Sequence, residues 1–435
     1  MAGVAAGLSD RPETFLARTV FIFDILKSRH VFIECAATQR IWGHQMQADI
    51  FAVLAGLGVL AVTSGALAQS SDRAYTLVEL LPVAGATECR SYAINNSGMV
   101  VGSSTGASEI ATMWAPDGFG TGLGVLPGAS GSRGIDINDN GEVLFRSSES
   151  PTGWYVRSPK SVFTQLPVPG GYQSVSAGAI NSYGEVVGTA NNGNDVALVW
   201  RPTPGGPVVE LFPSAGSGFV SGSAINDSGL AAYAIFTGFG NTTIVNRKTG
   251  AHDTSNTGAQ IAWVEDINNA DRALVVSDPE GDVLETYVTG LASILPFGCV
   301  ESGKYCQDFG DGDVEGFAIN EACEVVGQSV TVEFDGDGFP IGDNGINEAF
   351  VWSLETGTRK LADLIVEGDT TGWFLERAVD INDSGWIAGN GTKNGEPRAF
   401  LLIPREPCVA DTNRDGDVTP ADFSAWVGAF NRGCD

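Results

Sequence analysis

From residue 75 to residue 404 the chain is a succession of short apolar runs, each cut after a few positions by Asn, Gly, Pro or Ser. The third such unit is the clearest. "AGAIN" reads as a strand, "NSYG" as a turn, and "EVVGTA", "VALVWRP" and "PVVELFP" as three further strands, each bounded by turn formers. "ALVW" is nearly continuous in apolar residues rather than alternating, which suits a strand covered on both faces. The pattern therefore predicts a four-stranded antiparallel unit packed between neighbours.

The unit recurs. Ile-Asn pairs begin at Ile94, Ile137, Ile180, Ile225, Ile267, Ile319 and Ile381, with spacings of 43, 43, 45, 42, 52 and 62 residues. That period matches a four-stranded propeller blade of ~40–50 residues, and it also suits a linear β-solenoid. In the turn Asn-x-x-Gly, the Asn side chain can bond its own backbone and the Gly supplies a left-handed residue. Gly98, Gly141, Gly184, Gly229 and Gly385 fill that place, whereas Asp271 and Cys323 replace it in the fifth and sixth copies. A residue present in every copy marks structure rather than one catalytic site. Trp114, Trp200 and Trp352 share one place in the third strand, where a large aromatic is expected to pack between units.

The seventh unit lacks a fourth strand before "REPC". "YTLVELLP", residues 75–82, matches fourth-strand segments such as "VVELFP". An N-terminal strand completing the last unit would close a ring and remove its exposed edges. The expected fold is all-β, a seven-bladed β-propeller closed by an N-terminal strand, followed by a short C-terminal calcium loop and helix. The units, with "GEVVG" followed by "AFVW" as in "EAFVWSLETGTRKL", resemble HAF-type extracellular repeats over residues 75–404. The fourth copy, "TTIVNRKTGAHDTSNTG", departs from the pattern by lacking the Trp-x-Pro and Leu-Pro signals. The resemblance implies an exported, propeller-like repeat protein and assigns it no reaction.

Composition narrows the function classes. The 435 residues carry 24 Lys+Arg against 52 Asp+Glu, a formal charge of -28, which argues against a nucleic-acid partner because no basic stripe is present. "IFAVLAGLGVLAV", residues 50–62, followed by Ala66, Leu67 and Ala68, reads as a secretory signal with its cleavage site. Its apolar core is shorter than the ~20 residues of a membrane span, so no transmembrane span is expected in the mature form. The reading divides the chain into a leader or mis-assigned extension at 1–45, a signal peptide at 46–68, the repeat array at 75–404 and a tail at 408–435. The protein is expected to be secreted or held at the cell surface.

Cleavage after Ala68 leaves six of the seven cysteines, an even number that suits disulfides in an exported chain and allows 15 connectivities. Proximity pairs Cys299 with Cys306 and Cys408 with Cys434, leaving Cys89 with Cys323.

"DTNRDGDVTPAD", residues 411–422, places oxygen donors at loop positions 1, 3, 5 and 12 and Gly416 at position 6. Asp411, Asn413, Asp415 and Asp422 would supply side chains and Asp417 its backbone carbonyl to a calcium ion, Ca2+. Thr419 and Pro420 then start a helix, with Phe423, Trp426, Val427 and Phe430 at helical spacing. Between Cys408 and Cys434 this segment resembles one half of a dockerin type I module, flanked by Gly-Cys, which implies a cohesin-like or cell-surface protein partner. Two further acidic stretches, residues 308–315 and 335–344, offer oxygen donors without the twelve-residue pattern. They flank the sixth Ile-Asn pair and are the first place where a binding site is expected.

After cleavage the chain holds a single histidine, His252, which makes a Ser-His-Asp or His-rich zinc site improbable, and no carboxylate pair stands out. Two readings follow. The first is a non-enzymatic exported propeller acting as a binding or structural module. The second is a propeller-type glycoside hydrolase or polysaccharide lyase acting on extracellular glycan. In both, the calcium tail is the anchor.

Overall fold

The computed structural model describes residues 73–148, 153–193, 195–212, 219–236, 240–246, 251–255, 261–278, 285–288, 314–331 and 346–405, together with Pro420, Phe423, Ser424 and Val427. The proposed leader, the signal segment and the five calcium-loop residues lie outside these, as do nearly all of the two acidic stretches. Among the described residues no helix is long and apolar enough to cross a membrane.

The chain is all-β, and the described strands fall into seven separate sheets. After β1 (Tyr75–Leu80), the first sheet contains β2 (Glu88–Ile94), β3 (Val100–Thr105), β4 (Glu109–Trp114) and β5 (Gly120–Gly124). The second contains β6 (Ser132–Ile137), β7 (Val143–Ser147), β8 (Gly153–Arg157) and β9 (Phe163–Gln165). The third contains β10 (Ser174–Ile180), β11 (Val186–Asn191), β12 (Asp195–Arg201) and β13 (Val208–Phe212). The fourth contains β14 (Phe219–Ile225), β15 (Leu230–Phe236), β16 (Gly240–Asn246) and β17 (Ala251–Ser255). Three described strands make the fifth, β18 (Ile261–Ile267), β19 (Ala273–Asp278) and β20 (Glu285–Val288). The sixth has β21 (Val314–Ile319), β22 (Val325–Thr331), β23 (Ile346–Ser353) and β24 (Gly357–Lys360).

After a 3-10 turn at Leu361–Leu364 come β25 (Ile365–Glu367), β26 (Trp373–Ile381), β27 (Ile387–Lys393) and β28 (Glu396–Pro404). The seventh sheet runs in the order β26-β27-β28-β1-β25. Thus β1 pairs antiparallel with β28, from Tyr75 opposite Pro404 to Leu80 opposite Ala399, and β25 covers its other edge in parallel. Residues 358–365 are divided between β24, the 3-10 turn and β25. The fourth unit, which lacks the usual signals, still makes four strands, because "TTIVN" carries the β-branched residues that suit a pleated surface.

Burial explains the near-continuous apolar runs. In β12 every residue from Ala197 to Trp200 is buried, whereas β13 and β9 are largely exposed. The middle strands are covered on both faces and the outer ones face water. Trp114 and Trp200 are fully buried. Their indole N–H groups donate to the carbonyls of Leu81 and Pro167, at 2.7 and 3.0 Å, residues that follow the last strand of the neighbouring sheet. Each tryptophan thus ties two sheets together. The Gly of "VVG" is a close approach. A Cβ at Gly327 would lie 1.9 Å from the Glu315 carbonyl oxygen, and one at Gly188 2.1 Å from that of Ser176.

The pairing of Cys89 with Cys323 is overturned. Cys89 is a free, buried thiol that donates to the Leu80 carbonyl at 3.1 Å, and burial pushes its pKa up to about 11. It lies on the first sheet and Cys323 on the sixth, with the seventh between them.

Candidate functional site

Each Ile-Asn pair ends the first strand of its sheet, and the turn after it follows from local chemistry. In the first copy, Gly98 N–H donates to the Asn95 carbonyl and Asn95 N–H to the Met99 carbonyl, at 2.9 and 3.1 Å. The Asn95 Oδ1 accepts from the amides of Ser97 and Met99 at 3.1 and 3.0 Å. The left-handed residue is present in all seven copies. The five glycines have φ between 73° and 99°, and Asp271 and Cys323 adopt 62° and 60°. Asp271 gains from its place, since its carboxylate accepts from Asn226 Nδ2 at 2.9 Å and also from the Ser228 hydroxyl.

The asparagines do more than turn the chain. The Nδ2 of Asn95 donates to the Asn138 carbonyl, Asn138 to Asn181, Asn181 to Asn226 and Asn226 to Asn268, at 2.9 to 3.2 Å. Asn268 donates to Asn320, Asn320 to Asn382, and Asn382 back to the Asn95 carbonyl at 3.0 Å. All seven are buried. One side chain therefore satisfies a turn in its own repeat and a carbonyl in the next, groups that would be costly to leave unpaired.

Two residues before each Ile the first strand bulges. The register shifts fall at Ser91/Ala93, Gly134/Asp136, Ala177/Ala179, Gly222/Ala224, Val264/Asp266, Gly316/Ala318 and Ala378/Asp380. A bulge re-aims side chains, and here the seven bulged segments line one cavity of about 290 Å³. Its wall includes Asp139, Asp227, Glu321 and Asp383, the residues that follow the asparagines. Each accepts a backbone N–H from the preceding repeat, Asp139 from Asn96, Asp227 from Ser182, Glu321 from Asn269 and Asp383 from Glu321. No Lys, Arg or His is among the lining residues.

A second set of carboxylates sits at Asp136, Asp266 and Asp380. Asp136 accepts from Ile137 and Ile180, Asp266 from Ile267 and Ile319, and Asp380 from Ile381 and Ile94, all between 2.7 and 3.0 Å. Three side chains thus satisfy six of the seven Ile amides by joining the repeats in pairs. Ala93, Ala179, Ala224 and Ala318 hold the same place in the other repeats. Burial raises the pKa of all three carboxyls. For Asp266 it reaches about 6, with Asp136 and Glu321 adding to it, and Asp380 is raised further from the ordinary range by Asp266 and Asp136 after burial.

Next to the cavity, Arg133 stacks on the Tyr92 ring at 5.2 Å and Arg377 on the Phe317 ring at 3.8 Å. Both rings belong to bulge residues in the wall. The result is an electronegative cup, rich in hydrogen-bond acceptors, on a rigid frame.

The cup was not among the sites expected from sequence. Its signal was present as Asp or Ala immediately before each Ile, a carboxylate where a buried strand end wants an apolar residue. Of the expected calcium segment, Asp411, Asn413, Asp415, Asp417 and Asp422 lie outside the described residues. Pro420, Phe423, Ser424 and Val427 are helical, and Phe423 is exposed.

No protein-family model matches the chain, and no curated protein matches it. Among solved structures it is similar to the β-propeller domain of the Trilobed protease from Pyrococcus furiosus, at 9% identity and a TM-score of 0.46, over 73% of this chain and 96% of that one. It is similar to an acylaminoacyl peptidase from Pyrococcus horikoshii at 12% identity and a TM-score of 0.45, over 74% of this chain. YCF48 bound to D1 peptide matches at 10% identity and a TM-score of 0.45, over 78% of this chain and all of that one. The chain spans about half the length of the peptidase structures, 53% and 52% in two crystal forms.

Proposed function

We propose that residues 75–404 form a closed seven-bladed β-propeller that serves an exported protein as a non-enzymatic binding module. The observation that carries this reading is the bond from Asn382 to the Asn95 carbonyl, which joins the last repeat to the first and which a linear solenoid cannot make. Pairing of β1 with β28 supports closure by the N-terminal strand. The cup, where seven rigid strands converge on one set of polar groups, is the binding site of choice for such a scaffold.

The tail at 408–435 anchors the propeller to a cohesin-like or cell-surface partner through a calcium loop. Its hard oxygen donors at Asp411, Asn413, Asp415, Asp417 and Asp422 fit calcium. Calorimetry on the secreted full chain is expected to show one saturable calcium site that Asp415→Ala abolishes. Heat of binding unchanged by the substitution would remove the loop from the account.

The second reading is a glycoside hydrolase or polysaccharide lyase. What favours it is that Asp266 and Asp380 stand in the cavity wall with burial raising both carboxyls, the direction a general acid requires. Incubation with extracellular glycans separates the two. Binding without release of reducing or unsaturated ends supports the module, and turnover lost in Asp266→Ala supports the enzyme.

A further inference from the structure

The three inner aspartates are placed as pairs of clamps. Asp380 joins repeat seven to repeat one, Asp136 joins two to three, and Asp266 joins five to six, each through one Ile amide on either side. Repeat four stands alone, with Ala224 before Ile225 and Ala179 in the repeat before it. The clamps converge on one cavity whose other ionisable wall groups, Asp139, Asp227, Glu265, Glu321 and Asp383, are also acidic. The nearest cations on the same strands are already engaged, Arg133 with Glu109 at 2.7 Å and with the Tyr92 ring, and Arg377 over Phe317. Among the described residues two backbone amides donate to each carboxylate, and buried charge without a counter-ion is costly.

We propose that these junctions form a proton-operated closure, in which proton uptake by Asp136, Asp266 and Asp380 relieves the repulsion across the cup and so stabilises the folded array. This is independent of what the cup binds. A protonated clamp keeps its carbonyl oxygen on one amide while its own O–H turns to the cavity. The direction of the linkage follows from pKa values that lie higher in the folded chain than the ~3.9 of an unfolded aspartate. The folded state then binds more protons than the unfolded one, so stability from these groups is full at low pH and is lost as pH rises through the folded values. With Asp266 at about 6, the gain accumulates as pH falls from about 7 to about 4. It amounts to at most about tenfold in the folding constant per pH unit for each proton taken up.

The test is denaturant unfolding of the mature chain between pH 8 and pH 5, on the natural protein and on Asp136→Ala/Asp266→Ala/Asp380→Ala. The substitution installs the alanine that four repeats already carry, and it removes the acceptors of six Ile amides. The natural protein is expected to show a midpoint that rises as the pH falls, and the triple variant a flat profile. A flat or falling midpoint in the natural protein, or a slope retained in the variant, overturns the proposal. Should the variant fail to fold, carbon-13 NMR of labelled aspartate in the natural protein decides. Asp266 titrating near 6, with Asp136 and Asp380 above the ordinary aspartate range, supports the closure, and titration of any of the three within that range overturns it.

Discussion

Deletion of residues 75–80, the whole of β1, is expected to abolish cooperative folding of the array rather than lower its midpoint. The strand hydrogen-bonds to β28 along its full length, and Tyr75, Leu77 and Leu80 are buried, the last completely. Burial of three such side chains contributes about 6–8 kcal/mol, most of the 5–15 kcal/mol that a domain typically has. Ion pairs weaken with it. Glu79 pairs with Lys393 of β27 at 2.8 Å, and Arg73, just before the strand, would lose the anchor that holds it 2.6 Å from Glu324 of the sixth repeat. The deletion also leaves β28 as a long apolar edge open to aggregation. Leu80→Ala is a milder form of the same test, expected to cost about 3 kcal/mol. An unchanged thermal transition in the deletion would mean that the strand is an accessory.

Asn382→Ala is expected to cost about 3 kcal/mol, far more than a single hydrogen bond. The side chain donates to Asn95, and its Oδ1 accepts from the amides of Ser384 and Trp386 at 3.1 and 2.9 Å. Truncation leaves a buried carbonyl and two amides without partners, each worth about 1 kcal/mol or more when desolvated. Asn382→Asp keeps the acceptor but turns a donor into a negative oxygen facing the Asn95 carbonyl, so it is expected to be no better. An exposed control such as Thr370→Ala should stay within about 0.5 kcal/mol. Denaturant titration of the three variants measures the difference, and equal midpoints would reduce the circuit to turn chemistry alone.

The turn half of that role was legible in the sequence. Asn-x-x-Gly specifies an Asx turn and a left-handed residue from local chemistry, and Asp271 and Cys323 follow it because the backbone demands positive φ at that place. Strand positions were legible for the same reason, since hydrophobic period and turn residues are local signals. The strand at 75–80 could be placed in the last sheet because its pattern matched the missing fourth strand.

What stayed hidden depends on neighbours. The donor half of each asparagine points to a carbonyl 42 to 62 residues on, or 287 residues back for Asn382, and no local rule names that partner. The aspartates at 136, 266 and 380 become a set only once bulges turn their strands toward one cavity. The pairing of Cys89 with Cys323 failed because it was only what remained after the others were assigned, and elimination does not report that Cys89 has a carbonyl acceptor in β1; Cys299, Cys306, Cys408 and Cys434 lie outside the described residues. The fourth unit lost its tryptophan signal yet kept its strands, since β propensity survived where the motif did not.

The central claim is that the seven repeats close on themselves. Small-angle scattering of the chain from residue 69 to residue 435 tests it most directly. A closed array is expected to give a radius of gyration near the ~21 Å of a compact chain of that length, with a single main peak in the distance distribution. A markedly larger radius with the skewed distribution of a rod would contradict the closed ring, and with it the placement of the cup.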